Sequence, residues 1–172
     1  MATQSDKSKK TQRTSAVPER IFAQASPRSQ GGVSMFDVDE QITSNTVANF
    51  YSEEELLRRS AFRLRDAGFE ILQITDATIN IAGSPKTYQE AFNTELYAEE
   101  RPVIKPGAVE TMGTFIDSPS ADLPGLISVA GTPFEDVLEG VAIEEPRYEM
   151  AESMFPPLKE YWHLNVPDGV AV

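Results

Sequence analysis

FEILQITDATINIAGSPKTYQEAFNTEL, residues 69–96, changes its apolar period twice, and each change marks an element boundary. Phe69 to Ile74 reads as a strand with faces Phe69, Ile71, Gln73 and Glu70, Leu72, Ile74, both carrying apolar side chains. Asp76 and Ala77 form a tight turn. Thr78 to Ala82 is a second strand, with Ile79 and Ile81 on one face and Thr78 and Asn80 on the other, which makes the pair a β-hairpin. Gly83, Ser84 and Pro85 then start a helix: Ser84 is the N-cap, and Pro85 takes the first helical position, where its missing N–H does no harm. The helix runs to about Asn93 with Tyr88, Ala91 and Phe92 on its buried side. Extended structure resumes from Leu96 to Glu100.

Upstream, Ser52 and Glu55 have the spacing of a capping box, which predicts a helix beginning there. Leu57, Ala61 and Leu64 recur at i, i+4 and i+7 with Leu56 beside them, while Arg58, Arg59, Arg63 and Arg65 fall largely on the other side. Gly68 stops the helix in the left-handed conformation. The order helix, strand, strand, helix, strand predicts an α+β fold, a ferredoxin-like βαββαβ antiparallel sheet with two helices, lacking only its first strand. Either Val33–Asp37 or Thr46–Phe50 supplies that strand, with preference for the first because the second leaves a very short connection to the helix.

Residues 1–30 hold six basic and two acidic side chains, net +4, leaving nine basic and 25 acidic, net −16, for the rest of a chain whose total is −12. Rich in Ser, Gln and Thr, the stretch is expected to be a disordered basic tail, solvated or resting on the acidic body. Residues 31–157 form the expected domain, interrupted at 101–133 by a surface excursion with five of the 12 prolines and four glycines. Pro133–Leu138 is expected to be a helical turn and Gly140–Glu145 a further strand. Residues 158–172 form an extended C-terminal tail with Tyr161, Trp162, Leu164 and Val166, aromatic and apolar side chains with no element of their own to pack on.

Length and composition, 172 residues with 40% hydrophobic side chains, allow one modest domain. Zero cysteines exclude disulfides and thiolate chemistry. Net negative charge opposes nucleic-acid phosphates, and no run approaches the roughly 20 apolar residues of a membrane helix. With no opening apolar stretch of signal-peptide kind, the expectation is a cytoplasmic protein without nucleic-acid or membrane partners.

The inventory for catalysis is thin. The single histidine, His163, lies in the Pro-flanked tail, poorly suited to holding a nucleophile elsewhere. Gly31 and Gly32 follow no predicted strand and make no phosphate loop. Glu53, Glu54 and Glu55 suit the first turn of a helix. Glu99 and Glu100, like Glu144 and Glu145, point to opposite faces of extended chain. Asp37 and Asp39 lack the glycine and distal Glu of an EF-hand. No catalytic residue, metal site or cofactor is expected.

Leu56 to Tyr97 nevertheless resembles the propeptides of subtilisin-like serine peptidases. The helix ending DAGFEI, the hairpin continuing TINIAGSP and the run from Ala82 to Leu96, with Gly83, Ala91, Phe92, Thr94 and Leu96 in place, look most like the pro-kumamolisin type of activation domain. The likeness covers about a quarter of the chain. Separately, Tyr161 to Pro167 (YWHLNVP) is similar to the segment that leads into the catalytic domain of some bacterial subtilases. The resemblance implies an intramolecular chaperone and inhibitor that lays one sheet face on the peptidase and leaves its C-terminal segment in the active-site cleft. It places Asp76 as an acidic cap for peptidase helix N-termini, and Tyr161, Trp162, His163, Leu164, Asn165 and Val166 as the cleft-binding strand. Ordinary turn chemistry accounts equally for Asp76, and packing on its own domain for Trp162. The 172 residues contain no subtilase Asp, His and Ser motifs, so the chain is expected not to be an enzyme by itself but part or partner of a subtilisin-like serine peptidase. The alternative is a non-enzymatic adaptor or structural subunit that docks through its aromatic tail.

Overall fold

In the computed structural model the described residues are 14–37, 39, 41–103 and 111–146. Thr14–Ser15 forms a short strand, β1, and Ile21–Pro27 a longer one, β2. β2 corrects the expectation of a structureless stretch over 1–30, of which residues 1–13 lie outside the described set. Ile21, Ala23 and Ala25 are buried while Phe22 and Gln24 face out, the period-2 pattern of a half-buried strand. Alternation among small residues was masked by the polar average of the segment.

Neither candidate for the first strand is a strand. Val33–Asp37 belongs to a loop held by Glu139, whose carboxylate accepts Ser29 N–H at 2.9 Å and Met35 N–H at 3.4 Å. Val47–Phe50 is a single 3-10 turn that buries Phe50.

Helix α1, Glu54–Asp66, buries Leu57, Ser60, Ala61 and Leu64. Its N-cap is Glu53, with no side-chain cap hydrogen bond, so the predicted Ser52–Glu55 capping box does not form. Ser52 is buried instead: its hydroxyl donates to Pro27 O at 3.2 Å and its N–H to Asp76 O at 2.8 Å, tying the end of β2 to the hairpin turn. Gly68 ends the helix at φ +95°, as expected. Arg63 anchors α1 through Pro133 O at 3.1 Å and Asp136 Oδ1 at 2.5 Å, and that hydrogen bond holds the Asp136 carboxyl below its ordinary value.

The hairpin consists of β3, Glu70–Ile74, and β4, Ile79–Gly83. Ile71 pairs with Ile81 and Ile74 with Ile79, but an irregularity between Ile71 and Gln73 inserts Leu72. The bulge moves Gln73 to the face of Glu70 and Ile74 to that of Ile71, correcting the strict alternation read from sequence. Helix α2, Pro85–Phe92, is capped by the Ser84 hydroxyl accepting Thr87 N–H at 3.2 Å and ends at Asn93, φ 48°.

β5, Tyr97–Val103, does not complete the βαββαβ unit. It pairs with β1 and with β6, Thr111–Asp117, in a separate three-stranded sheet. β7, Leu126–Ser128, and β8, Leu138–Ile143, follow, and β8 is the missing last strand. The main antiparallel sheet has the order β3-β4-β2-β8-β7. Read as β2, α1, β3, β4, α2, β8, this is the ferredoxin-like arrangement, with β5, β6 and β7 inserted before its last strand. The choice of β8 follows from burial. Its Val141 and Ile143 pair with Ala25 and Ala23 and enter the core, whereas Glu99, Glu100 and Arg101 would bring charge into that position from β5. The expected surface excursion at 101–133 thus contains two strands, and Pro133–Leu138 is a helical turn with Phe134, Val137 and Leu138 buried.

The core lies between one face of the main sheet and the helices. Phe69, Tyr88, Phe92 and Phe134 form a chain of ring contacts there, the closest being Phe69 to Tyr88 at 4.8 Å. Gly83 is required by that packing, since a Cβ would sit 2.9 Å from the Phe69 ring.

Candidate functional site

Strand register determines what the opposite face of the main sheet presents. Glu70 pairs with Ala82, which pairs with Phe22; beside them runs a second row, Gln73, Asn80, Gln24 and Ala142. These residues alternate with the core positions and lie on the sheet face opposite α1 and α2, where Glu70, Gln73, Gln24 and Phe22 are exposed, Asn80 and Ala142 half-buried and Ala82 buried. Phe22 is the exception in size and is 41% exposed. Arg20 lies over its ring at 5.1 Å and bridges to Glu70 at 2.7 Å, joining the outer strand to the central one. Toward β8 the face is covered: Phe36, on the loop held by Glu139, packs on Gly140, where a Cβ would lie 2.9 Å from its ring. Beside Phe22, Thr114 and Ile116 of β6 line a shared groove, so the open portion is that of Glu70 and Gln73 on β3 and Gln24 on β2.

Asp76 sits at the end of the same hairpin and is exposed. The turn is closed by Thr75 N–H on Thr78 O at 2.8 Å and by Thr78 N–H on the Thr75 hydroxyl at 2.9 Å. Threonines do the turn-forming, and the Asp76 carboxylate takes no part in these bonds. With its carbonyl fixed to Ser52, Asp76 presents its carboxylate from an anchored backbone.

Tyr161, Trp162, His163, Leu164, Asn165 and Val166 lie outside the described residues, so only Asp76 of the predicted site residues has a place in this geometry. The face of Phe22, Gln24, Asn80 and Ala82 was missed because half of it comes from the stretch read as tail. The signal was present in the alternation of Ile21, Ala23 and Ala25.

No family model, curated protein or solved structure matches this chain.

The run that carries the propeptide resemblance is accounted for position by position by packing. Gly83 admits the Phe69 ring, Phe92 and Leu96 are in the core, and the Thr94 hydroxyl meets that of Ser118 at 2.6 Å. Among the described residues no group of three or more His, Cys, Asp or Glu side chains converges to hold a metal ion, and no helix is long and apolar enough to cross a membrane. The one buried, multiply bonded carboxylate in the accessory sheet, Asp117, is engaged by Arg101 and accepts Gly125 N–H at 2.5 Å. It joins β6 to the loop before β7.

Proposed function

We propose that this chain is a propeptide-like intramolecular chaperone and inhibitor of a subtilisin-like serine peptidase, in cis or in trans, with no chemistry of its own. The observation that carries the reading is the sheet face of β2 and β3 on which Glu70, Gln73 and Gln24 are exposed, with Asp76 held exposed at the tip of the same hairpin. A polar sheet surface offers side-chain hydrogen-bonding groups to helices of a partner, and a carboxylate beside it matches the positive end of a helix dipole. The resemblance of residues 56–97 to pro-kumamolisin-type propeptides supports the same assignment, and the likeness of Tyr161–Pro167 to the segment leading into subtilase catalytic domains assigns Tyr161–Val166 to the cleft.

The test is a titration of the purified chain against a subtilisin-like peptidase while cleavage of a fluorogenic peptide is followed. Inhibition that is tight at first and fades as the chain is digested is the expected result. Absence of inhibition at every ratio, with rapid digestion, leaves the adaptor role and rejects the propeptide one.

A further inference from the structure

We infer that the outer face of α1, centred on Phe62, docks an acidic segment of a partner protein that carries an apolar or aromatic anchor. Phe62 is 68% exposed, the most open of the large apolar side chains among the described residues. It lies on the side of the helix away from Leu57, Ser60, Ala61 and Leu64, which are buried. Helical spacing surrounds it with charge. Arg58 at i−4 and Arg65 at i+3 fall on one flank, Arg59 at i−3 and Asp66 at i+4 on the other, each about 5–6 Å away between Cβ atoms. All four are exposed. The arginines have partial local explanations: Arg58 pairs with Glu54 one turn earlier, and Arg65 suits the negative end of the helix dipole. Arg59 acts on the Asp136 carboxyl through its charge. Phe62 has no such explanation, since a ring left in water gains nothing from folding and Ala, Glu or Lys would suit the helix better.

Charge selects the occupant. Residues 31–172 carry nine basic side chains against 25 acidic ones, and four of the nine lie on α1. From Arg58 to Asp66 the helix sets those four arginines against Asp66, a local net of +3 on a body of −16. A broad anionic surface, such as a bilayer or a nucleic-acid duplex, would also meet Glu54 and Asp136, which Arg58 and Arg63 hold within ion-pair distance, and the acidic body behind them. A peptide segment is narrow enough to contact the ring and the arginines beside it. Guanidiniums hold carboxylates through paired hydrogen bonds, and an aromatic side chain among arginines has the composition of an interface centre. This face lies across the main sheet from the surface of Glu70, Gln73 and Gln24, so occupancy of one leaves the other open. The inference is therefore independent of the peptidase reading.

The test uses the full chain and a fluorescein-labelled peptide in which Glu alternates with Leu around a single Trp, with its Gln-for-Glu counterpart as control, both read by anisotropy. The acidic peptide is expected to bind with a Kd on the order of 10–100 μM and the neutral one at least about tenfold more weakly. Raising salt from about 0.05 M to about 0.5 M weakens the acidic peptide several-fold. Phe62→Gln and the double variant Arg59→Gln, Arg65→Gln each lower its affinity roughly tenfold. All three side chains are exposed, so melting temperature changes little. Amide chemical shifts locate the peptide, with perturbations expected over Arg58–Asp66 and none at Glu70, Gln73 and Gln24. Equal binding of the two peptides, variants that bind like the native chain, shifts confined to other elements, or no binding at millimolar peptide each overturns the inference. Tighter association with phosphatidylserine vesicles or with a DNA duplex overturns it equally, as does self-association of the chain that Phe62→Gln abolishes.

Discussion

Tyr88 shows how one side chain joins fold and pH response. It is fully buried on α2, and its hydroxyl donates to Ile21 O at 3.2 Å, the first residue of β2. Burial, reinforced by the nearby Glu144 carboxylate, raises its pKa well above the ordinary 10.0. With the folded value above the unfolded one, the contribution is fully present below pH 10 and is lost as pH rises beyond it, because the unfolded chain ionises first. Tyr88→Phe removes the hydrogen bond, costing about 1 kcal/mol at neutral pH, and makes the decline of stability above pH 10 shallower; urea titrations at pH 7 and 10.5 check both effects. Asp76 is the complementary case, an exposed carboxylate outside its turn's hydrogen bonds. Asp76→Ala is expected to weaken peptidase binding by about 1–2 kcal/mol with little change in melting temperature. Unaltered affinity in the inhibition assay would reduce it to a turn residue.

Elements in this chain are set by local signals and joined by distant ones. The Ser84–Pro85 start and Gly68 stop are formed by residues within a turn of one another, so the sequence announced them. Ser52 announced a capping box and serves instead as a buried tie between Pro27 and Asp76, since a hydroxyl beside two carbonyl-rich strand ends has partners that lie far off in sequence. The bulge at Leu72 is equally non-local in origin, as only pairing with β4 reveals it. The accessory sheet depends on one such tie: the Asp117 side chain is 5% exposed and engages Arg101 and Gly125 N–H. Asp117→Ala leaves Gly125 N–H without this acceptor and Arg101 with Glu99 alone, and is expected to cost about 1–2 kcal/mol by denaturant unfolding. Hydrogen exchange should show the loss concentrated in β5, β6 and the 118–125 loop, while β2 and β4 keep most of their protection.

At the scale of the whole molecule, the buried cluster among the described residues runs from Ile21 to Ile143, so truncation after Pro157 is expected to leave the cooperative unfolding transition in place. The same truncation should abolish most peptidase inhibition; unchanged inhibition would remove residues 158–172 from the mechanism. Circular dichroism and the fluorogenic assay on one preparation separate the two outcomes.

The sequence alone determined α1, the hairpin, α2 and therefore the α+β class, because periodicity, caps and turn residues act over a few positions of the chain. The place of Asp76 in the hairpin turn was legible for the same reason. Tertiary structure decided which strands complete the sheet. Ala25 finds Val141 and Ala23 finds Ile143 across more than a hundred residues, and no short-range signal distinguishes these pairings from the one β5 offered. What distinguishes them is burial: small and branched side chains on β2 and β8 fill the space beneath α1 and α2, while the charged side chains of β5 are excluded from it. The open sheet face, to which β2 contributes Gln24, exists only once that selection has been made.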